Sequence, residues 1–137
     1  MLRGLTTITF FADDVAAARD WYADFLGMRA YFARPEQGDP AYVEFRVGDY
    51  QHELGIVDTR YAPEGRRAAD GGAIVYWAVD DLEATWERLL EMGATPFEKP
   101  TERGPGYVTA SVRDPFGNVL GIMVNQHYMD VLAGRKG

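Results

Sequence analysis

The chain has 137 residues, of which 47% are hydrophobic and 26% charged, a balance typical of one small globular domain. Its formal net charge of −7 disfavours a nucleic-acid partner, because phosphate backbones would be repelled. The absence of cysteine excludes disulfides and thiolate metal sites. No apolar run approaches the roughly 20 residues needed to span a bilayer, and the first residues lack the pattern of a secretory signal. We therefore expect a cytoplasmic protein with no membrane partner.

The first half of the chain predicts one helix among four strands. Residues 5–11 are rich in β-branched and aromatic side chains, which favours a strand. Asp13 or Asp14 can cap the helix predicted over 15–26, whose apolar residues recur at helical spacing, and Gly27 is suited to end it. Further strands are predicted at 28–33, 42–47 and 50–57, with a polar loop at 34–40.

The second half repeats this order after a polar segment at 58–72 that contains proline and three glycines. A strand is predicted at 73–79, and Asp80 or Asp81 can cap a helix over 82–92 that Gly93 ends. The remaining predicted elements are strands at 95–98, 107–113 and 119–124, a loop at 101–106, a turn at 114–117 and a short tail helix at 129–132.

The two halves also match in sequence. Phe11-Ala12-Asp13-Asp14-Val15 corresponds to Ala78-Val79-Asp80-Asp81-Leu82, at an offset of 67 residues (78 − 11), and Leu54-Gly55-Ile56 corresponds to Leu120-Gly121-Ile122. The same predicted elements recur in the same order in both halves, which indicates an internal repeat. The predicted fold is α+β, with two βαβββ modules in a single domain. Module one spans about 1–58, the linker about 59–72, module two about 73–126 and a tail about 127–137.

The sequence resembles the vicinal-oxygen-chelate superfamily, which includes glyoxalase I, extradiol dioxygenases, fosfomycin-resistance enzymes and bleomycin-resistance proteins. The most specific motif is Asp114-Pro115-Phe116-Gly117-Asn118, which matches the family's turn before its last strand. The weaker motifs, in the correct order, are Asp14-Val15, Trp21-Tyr22, Leu26-Gly27, Val79-Asp80-Asp81-Leu82 and Met92-Gly93-Ala94. The resemblance implies a U-shaped mixed sheet that cups a small organic ligand, and frequently a homodimer.

Enzymes of this family hold a divalent metal through His, Gln or Glu side chains on the first and last strands of each module. The corresponding positions here are Thr7, Ile74, Gly121 and either Gly55 or Glu53. At most one of these is a strong ligand, since a threonine hydroxyl binds such metals poorly and two of the others offer no ligand at all. We therefore expect no cofactor and no tightly held metal; a weakly bound divalent metal is the alternative.

Strand periodicity assigns side chains to the two faces of each predicted sheet. Apolar residues belong on the face that the helices cover, so the opposite parity faces the cup. The residues expected there, and expected to bind the ligand, are Thr7, Thr9, Phe11, Glu44, Arg46, Gln51, Glu53, Tyr76, Thr109, Ser111, Arg113 and Met123. Polar groups among aromatic and aliphatic side chains suit an organic molecule that carries a few hydrogen-bonding groups. The alternative for Glu44 and Arg46 is an ordinary solvated charge pair.

The sequence offers Glu53 and His127 as candidates for a general base. His52 shares the parity of Leu54 and should point to the helix side or the sheet edge, whereas His127 follows the last strand and either leans over the rim or caps the strand. Two functions stay open. The first is metal-free binding of a small molecule, as in bleomycin-resistance proteins. The alternative is a lyase, isomerase or dioxygenase-like enzyme that uses Glu53, with Arg46 or Arg113 as an oxyanion partner. A third, an accessory subunit with an inert cup, has no feature of its own in the sequence.

Overall fold

The computed structural model describes residues 1–63 and 72–134, and the chain divides into two compact units, 1–67 and 68–137. Most of the predicted linker, 64–71, lies outside the described residues, and so do the last three residues of the tail. Within the described parts, no helix is long and apolar enough to cross a membrane.

The first unit contains a four-stranded mixed sheet and one helix. In chain order its elements are β1 (Thr7–Ala12), α1 (Val15–Leu26), β2 (Phe32–Arg34), β3 (Tyr42–Val47), β4 (His52–Asp58) and a 3₁₀ turn (Thr59–Tyr61). The strand order is β1-β4-β3-β2, with β1 parallel to β4 and the other neighbours antiparallel. This is the predicted βαβββ module.

Helix α1 begins and ends where the predicted caps place it. The Asp14 side chain accepts a hydrogen bond from the Ala17 backbone N–H at 3.0 Å, and Gly27 adopts the left-handed conformation with φ 67°. The helix buries Val15, Ala18 and Tyr22, and the Tyr22 ring lies 6.0 Å from the Phe10 ring of β1. The apolar stripe of α1 thus covers one side of the sheet of the first unit.

The second unit repeats the architecture and adds a terminal helix. Its elements are β5 (Tyr76–Ala78), α2 (Leu82–Glu91), β6 (Thr95–Gly104), β7 (Tyr107–Arg113), β8 (Val119–Asn125) and α3 (Gln126–Leu132). The strand order β5-β8-β7-β6, with β5 parallel to β8, is the same as in the first unit. Asp81 caps α2 by accepting from the Ala84 N–H at 3.0 Å. The fold class and the two modules are therefore confirmed.

The turn between β7 and β8 is organised by one buried carboxylate. Asp114 is 4% exposed and accepts hydrogen bonds from the backbone N–H groups of Phe116 at 2.9 Å and Asn118 at 2.8 Å. The Asn118 side-chain amide donates a third bond to the same carboxylate at 3.0 Å. An aspartate at the start and an asparagine at the end of this motif are thus required to satisfy the buried turn.

Several element boundaries differ from the sequence predictions. Strands β2 and β5 are shorter than the predicted 28–33 and 73–79, because pairing with their neighbours extends over three residues only. Strand β6 runs through the predicted loop at 101–106 as far as Gly104, since it is an edge strand whose irregular register tolerates its prolines. Helix α3 begins three residues earlier than predicted, at Gln126, because the Asn125 side chain caps it through the Tyr128 N–H.

Candidate functional site

The side of the first sheet opposite α1, here called the open face, gathers most of the polar side chains predicted in module one. On β1, Ile8 and Phe10 are 7% exposed, whereas Thr7 and Thr9 are well exposed on the other side. Cross-strand pairing extends this alternation over the sheet. The open face comprises Thr7, Thr9, Phe11, Phe32, Arg34, Tyr42, Glu44, Arg46, Glu53, Gly55 and Val57.

Glu53 has partners on both of its carboxylate oxygens. The Thr7 hydroxyl donates a hydrogen bond to Glu53 Oε1 at 2.7 Å, and Arg46 Nη1 lies 3.5 Å from Oε2. The Arg46 guanidinium also stacks on the Tyr31 ring, 4.8 Å from its centroid. Register explains the cluster, because Glu53 is directly opposite Thr7 on one neighbouring strand and Arg46 on the other. Glu53 is therefore paired before any ligand arrives.

Tyr42 and Glu44 form a second polar pair on β3. The Tyr42 hydroxyl donates a hydrogen bond to Glu44 Oε1. The Tyr42 ring lies over Gly55 of β4, so closely that a Cβ atom at Gly55 would be 2.7 Å from the hydroxyl oxygen and 2.9 Å from Cε1. A glycine is thus needed beneath the ring, because any side chain at position 55 would displace the tyrosine from Glu44.

The electrostatics of the open face favour the protonated forms of this second pair. Burial raises the pKa of Glu44 above its ordinary value, the Glu53 carboxylate raises it further, and the Arg46 guanidinium partly opposes the shift. Burial and the Glu53 charge likewise raise the pKa of Tyr42. The phenol consequently stays neutral at physiological pH and remains a hydrogen-bond donor.

An apolar cleft of about 640 Å³ lies at one end of the open face, within the first unit. The Phe32 and Tyr42 rings that line it are 6.2 Å apart in an edge-to-face arrangement. Its lining residues are Phe32, Arg34, Pro35, Ala41, Tyr42, Val57 and Tyr61. Tyr42 therefore belongs both to the cleft and to the polar pair with Glu44, and it connects the apolar and polar parts of the face.

The remaining predictions in module one have different outcomes. Gln51 was predicted to lie on a strand, and this prediction is wrong. The residue occupies the turn before β4 with φ 54°, and its side-chain amide donates a hydrogen bond to the Gly48 carbonyl at 3.0 Å. Thr9 and Phe11 lie on the open face but outside the lining of the cleft. His52 is the first residue of β4, half-buried, with its ring 6.0 Å from that of Tyr50.

In the second unit the predicted ligand-binding residues share one face of their sheet by register. The Tyr76 ring lies over Gly121, where a Cβ atom would be 2.7 Å from Tyr76 Cδ1. The Thr109 hydroxyl accepts a hydrogen bond from Arg103 Nε at 3.1 Å. Ser111 is fully buried, and its Oγ has no hydrogen-bond partner among the described residues. Met123 is half-buried, and its sulfur accepts a hydrogen bond from the Asn125 side-chain amide. The Arg113 guanidinium stacks on the Phe97 ring, 5.0 Å from its centroid. His127 is exposed in the first turn of α3.

Several cleft residues were not predicted from the sequence. Tyr42 shares the strand parity of Glu44 and Arg46, and that parity could have placed it on the same face. Phe32 and Arg34 lie on a strand whose predicted span, 28–33, was shifted from the observed one. Tyr61 belongs to a 3₁₀ turn inside the predicted linker, where no periodic pattern marks it.

The family model of the Glyoxalase/Bleomycin resistance protein/Dioxygenase superfamily matches residues 4–122, across both units. The chain belongs to this superfamily. No curated protein sequence gives a significant match.

Solved structures of superfamily proteins show the same fold. A glyoxalase-related enzyme from Fulvimarina pelagi is similar with a TM-score of 0.71 and 18% identity, over 91% of this chain and 90% of that one. A superfamily member from Sphaerobacter thermophilus gives 0.70 and 20%, over 90% and 98%. A lactoylglutathione lyase from Agrobacterium tumefaciens gives 0.65 and 20%, over 90% and 94%. At such identities the likeness establishes the fold alone.

Members of the superfamily often use a divalent metal, but the described residues at the positions named from the sequence do not fit one. Tyrosine rings cover Gly55 and Gly121, and Ile74 is an exposed apolar residue. Glu53 is paired with the Thr7 hydroxyl and with the Arg46 cation, which competes with a metal for its carboxylate. No group of three or more His, Asp or Glu side chains within 1–63 and 72–134 is placed to hold a metal ion.

Proposed function

We propose that this protein binds a small, largely apolar organic molecule in the cleft of the first unit, without a resident metal ion. The observation that carries the proposal is the cleft itself, about 640 Å³ in volume, with three aromatic rings in its lining. Ligand pockets in proteins are usually concave sites of roughly 300–1,000 Å³, mostly apolar with a few polar groups. The cleft lies within this range.

The polar groups beside the cleft support a ligand with hydrogen-bonding groups. Tyr42 lines the cleft, and its hydroxyl is bound to Glu44, which is half-buried on the same face. A ligand atom that replaced Glu44 as the partner of the phenol, or Tyr42 as the partner of the carboxylate, would gain a directional contact. The Glu53 cluster with Thr7 and Arg46 pairs its own charges and supplies a neighbouring polar surface.

Binding of a fluorescent apolar probe, N-phenyl-1-naphthylamine, tests the proposal. We expect its fluorescence to rise when the protein is added, in the presence of a chelator as well as without it. Ala41→Phe places a ring in the cleft, and we expect it to weaken binding at least tenfold. Ala17→Phe, on the exposed side of α1, is the matched control and should bind as the wild type does.

Two results would contradict the proposal. One is unchanged binding by Ala41→Phe when circular dichroism shows that the variant is folded. The other is a chelator-treated protein that binds only after a divalent metal is returned, or elemental analysis that finds one metal ion per chain.

Proton-transfer catalysis is a second candidate function, and Glu44 favours it. Its raised pKa brings the carboxyl group closer to the pH at which a general base is most effective, and its partner Tyr42 lines the cleft. In this reaction Glu44 would take a proton from a carbon next to a carbonyl, and the electron pair of the broken C–H bond would pass to the carbonyl oxygen as an enolate. A proton exchanged with solvent would then return to the same carbon, which is the exchange step that also begins isomerisation and elimination reactions. Glu53, the base proposed from the sequence, already has both oxygens paired. The test is deuterium incorporation into 1-acetylnaphthalene in D₂O, which Glu44→Gln should abolish.

A further inference from the structure

We infer that the ligand of the cleft is an organic anion, with an apolar body in the cleft and a carboxylate-type group bound by the Arg34 guanidinium. This inference rests on the proposed function, since it names the class of molecule that the same cleft takes.

Arg34 is held in a defined place at the cleft. It is the last residue of β2, directly opposite Tyr42 on β3, so both side chains lie on the open face. Its guanidinium stacks on the Phe32 ring, 5.3 Å from the centroid. Phe32, Arg34 and Tyr42 all line the cleft, which places a planar cation beside two aromatic rings.

Arg34 differs from Arg46 and Arg60 in its partners among the described residues. Arg46 lies 3.5 Å from a Glu53 oxygen, and Arg60 lies 3.3 Å from a carboxylate oxygen of Asp58. Within residues 1–63 and 72–134, no carboxylate forms an ion pair or hydrogen bond with Arg34. Among the residues that the structure describes, no acidic group thus competes with a ligand for the planar set of N–H donors of this guanidinium.

The lining supplies one charge, and that charge is positive. Apart from Arg34, the described residues that line the cleft are apolar or are tyrosines. The nearby carboxylate of Glu44 accepts the Tyr42 hydroxyl hydrogen bond, so part of its charge is already compensated. Guanidinium binds a carboxylate through two parallel N–H···O bonds, a geometry that a neutral amide of the same shape reproduces poorly. An aromatic or aliphatic carboxylate therefore complements both parts of the cleft.

The test compares 1-naphthoate with 1-naphthamide, which have the same ring system and differ in charge, by calorimetric titration of the full-length protein. We expect the wild type to bind naphthoate about tenfold more tightly, as charge-assisted hydrogen bonds are stronger than neutral ones. Arg34→Gln should remove this preference and leave naphthamide binding within about twofold of wild type. Arg19→Gln, on α1 and paired with Asp20, removes the same charge from the opposite side of the sheet and should keep the preference.

The outcomes separate this inference from the proposed function. If both compounds bind the wild type equally, or if Arg34→Gln weakens both to the same extent, the ligand is not recognised as an anion, while the cleft still binds organic molecules. If neither compound binds and Ala41→Phe has no effect on the apolar probe, the inference and the proposed function both fail. Circular dichroism of Arg34→Gln establishes that the variant is folded.

Discussion

The contact between Tyr42 and Gly55 provides a direct test of the geometry of the open face. In Gly55→Ala the new methyl group would lie 2.7 Å from the Tyr42 hydroxyl oxygen and 2.9 Å from Cε1, whereas ordinary van der Waals contact begins at 3.4 Å. The β4 backbone is held by its neighbours on both sides, so the tyrosine ring is the group that moves. This movement breaks its hydrogen bond to Glu44.

The size of the effect follows from these two costs. Forcing an extra methyl group into a packed position costs about 1–3 kcal/mol, and a lost hydrogen bond to a charged group about 1.5–3 kcal/mol. Because the Tyr42 side chain is only half-buried and can relax, we expect each cost to lie at or below the lower end of its range, about 2 kcal/mol together. In a Tyr42→Ala background the ring is absent, and Gly55→Ala should cost less than about 0.5 kcal/mol.

Urea unfolding of the four proteins in this double-mutant cycle measures the interaction energy, expected to be about 1.5–2 kcal/mol. Gly104→Ala is the control, because a Cβ at that position meets nothing within 4 Å and the residue has no positive φ; its effect should stay within about 0.5 kcal/mol. If Gly55→Ala destabilises wild type and the Tyr42→Ala variant equally, the ring does not lie over Gly55.

Three further predictions concern other parts of the chain. Gly121→Ala should cost about 3 kcal/mol or more in the same urea assay, because its Cβ would lie 2.6 Å from the Val75 backbone oxygen; a cost below about 1 kcal/mol would contradict this geometry. The stability of Glu44→Gln relative to wild type should increase as pH rises above 4.5, because a raised pKa makes the folded carboxyl bind more protons than the unfolded one and so lowers wild-type stability with rising pH. In thermal melts the difference between the two proteins should stay constant below pH 4.5 and shift toward the variant above it; a constant difference throughout would contradict the raised pKa. Asp81→Ala should cost about 1 kcal/mol through loss of the α2 cap, and Asp80→Ala, beside it, almost nothing; equal losses in calorimetry would assign no capping role to Asp81.

The fold could be predicted because its determinants are local and occur twice. Asp14 and Asp81 accept hydrogen bonds from backbone N–H groups three residues later, as their positions before two apolar periodic segments indicated. The turn begun by Asp114 depends on groups within four residues of it. Such signals are readable along the chain without knowledge of tertiary contacts.

The candidate site was predictable only in part. The period of two along a strand placed Thr7, Glu44 and Glu53 on a common face, but it could not show that Thr7 and Glu53 bond to each other. That contact depends on the register between β1 and β4, which are separated by the whole module. The cleft required knowledge of how β2 pairs and where the 3₁₀ turn carries Tyr61, and no periodicity encodes either.

In the second module the sequence predicted the sheet face of each polar side chain but not how deeply that side chain is buried. The alternation of side chains along the strand predicted that Thr109 and Ser111 share a sheet face with Gly121, and the observed pairing of β7 with β8 places them there. Their burial, however, arises from neighbours that sequence spacing does not identify, such as the Arg103 side chain bonded to Thr109. Polar residues on a strand therefore indicate a face more reliably than they indicate exposure.

The tyrosines over Gly55 and Gly121 affect how this chain could change during evolution. The two glycines occupy matching places in the internal repeat, yet their covering rings come from different strands, β3 in one unit and β5 in the other. A histidine or glutamate acquired at either glycine would first collide with the aromatic ring, so its carrier would be destabilised before any new chemistry could be selected. A prior substitution that removes the tyrosine ring supplies no metal ligand, so it brings no metal-binding function that could be selected. At Gly55 a new side-chain ligand therefore requires prior loss of the ring, whereas at Gly121 the Val75 backbone oxygen, 2.6 Å from a Cβ atom, would obstruct it even without the ring.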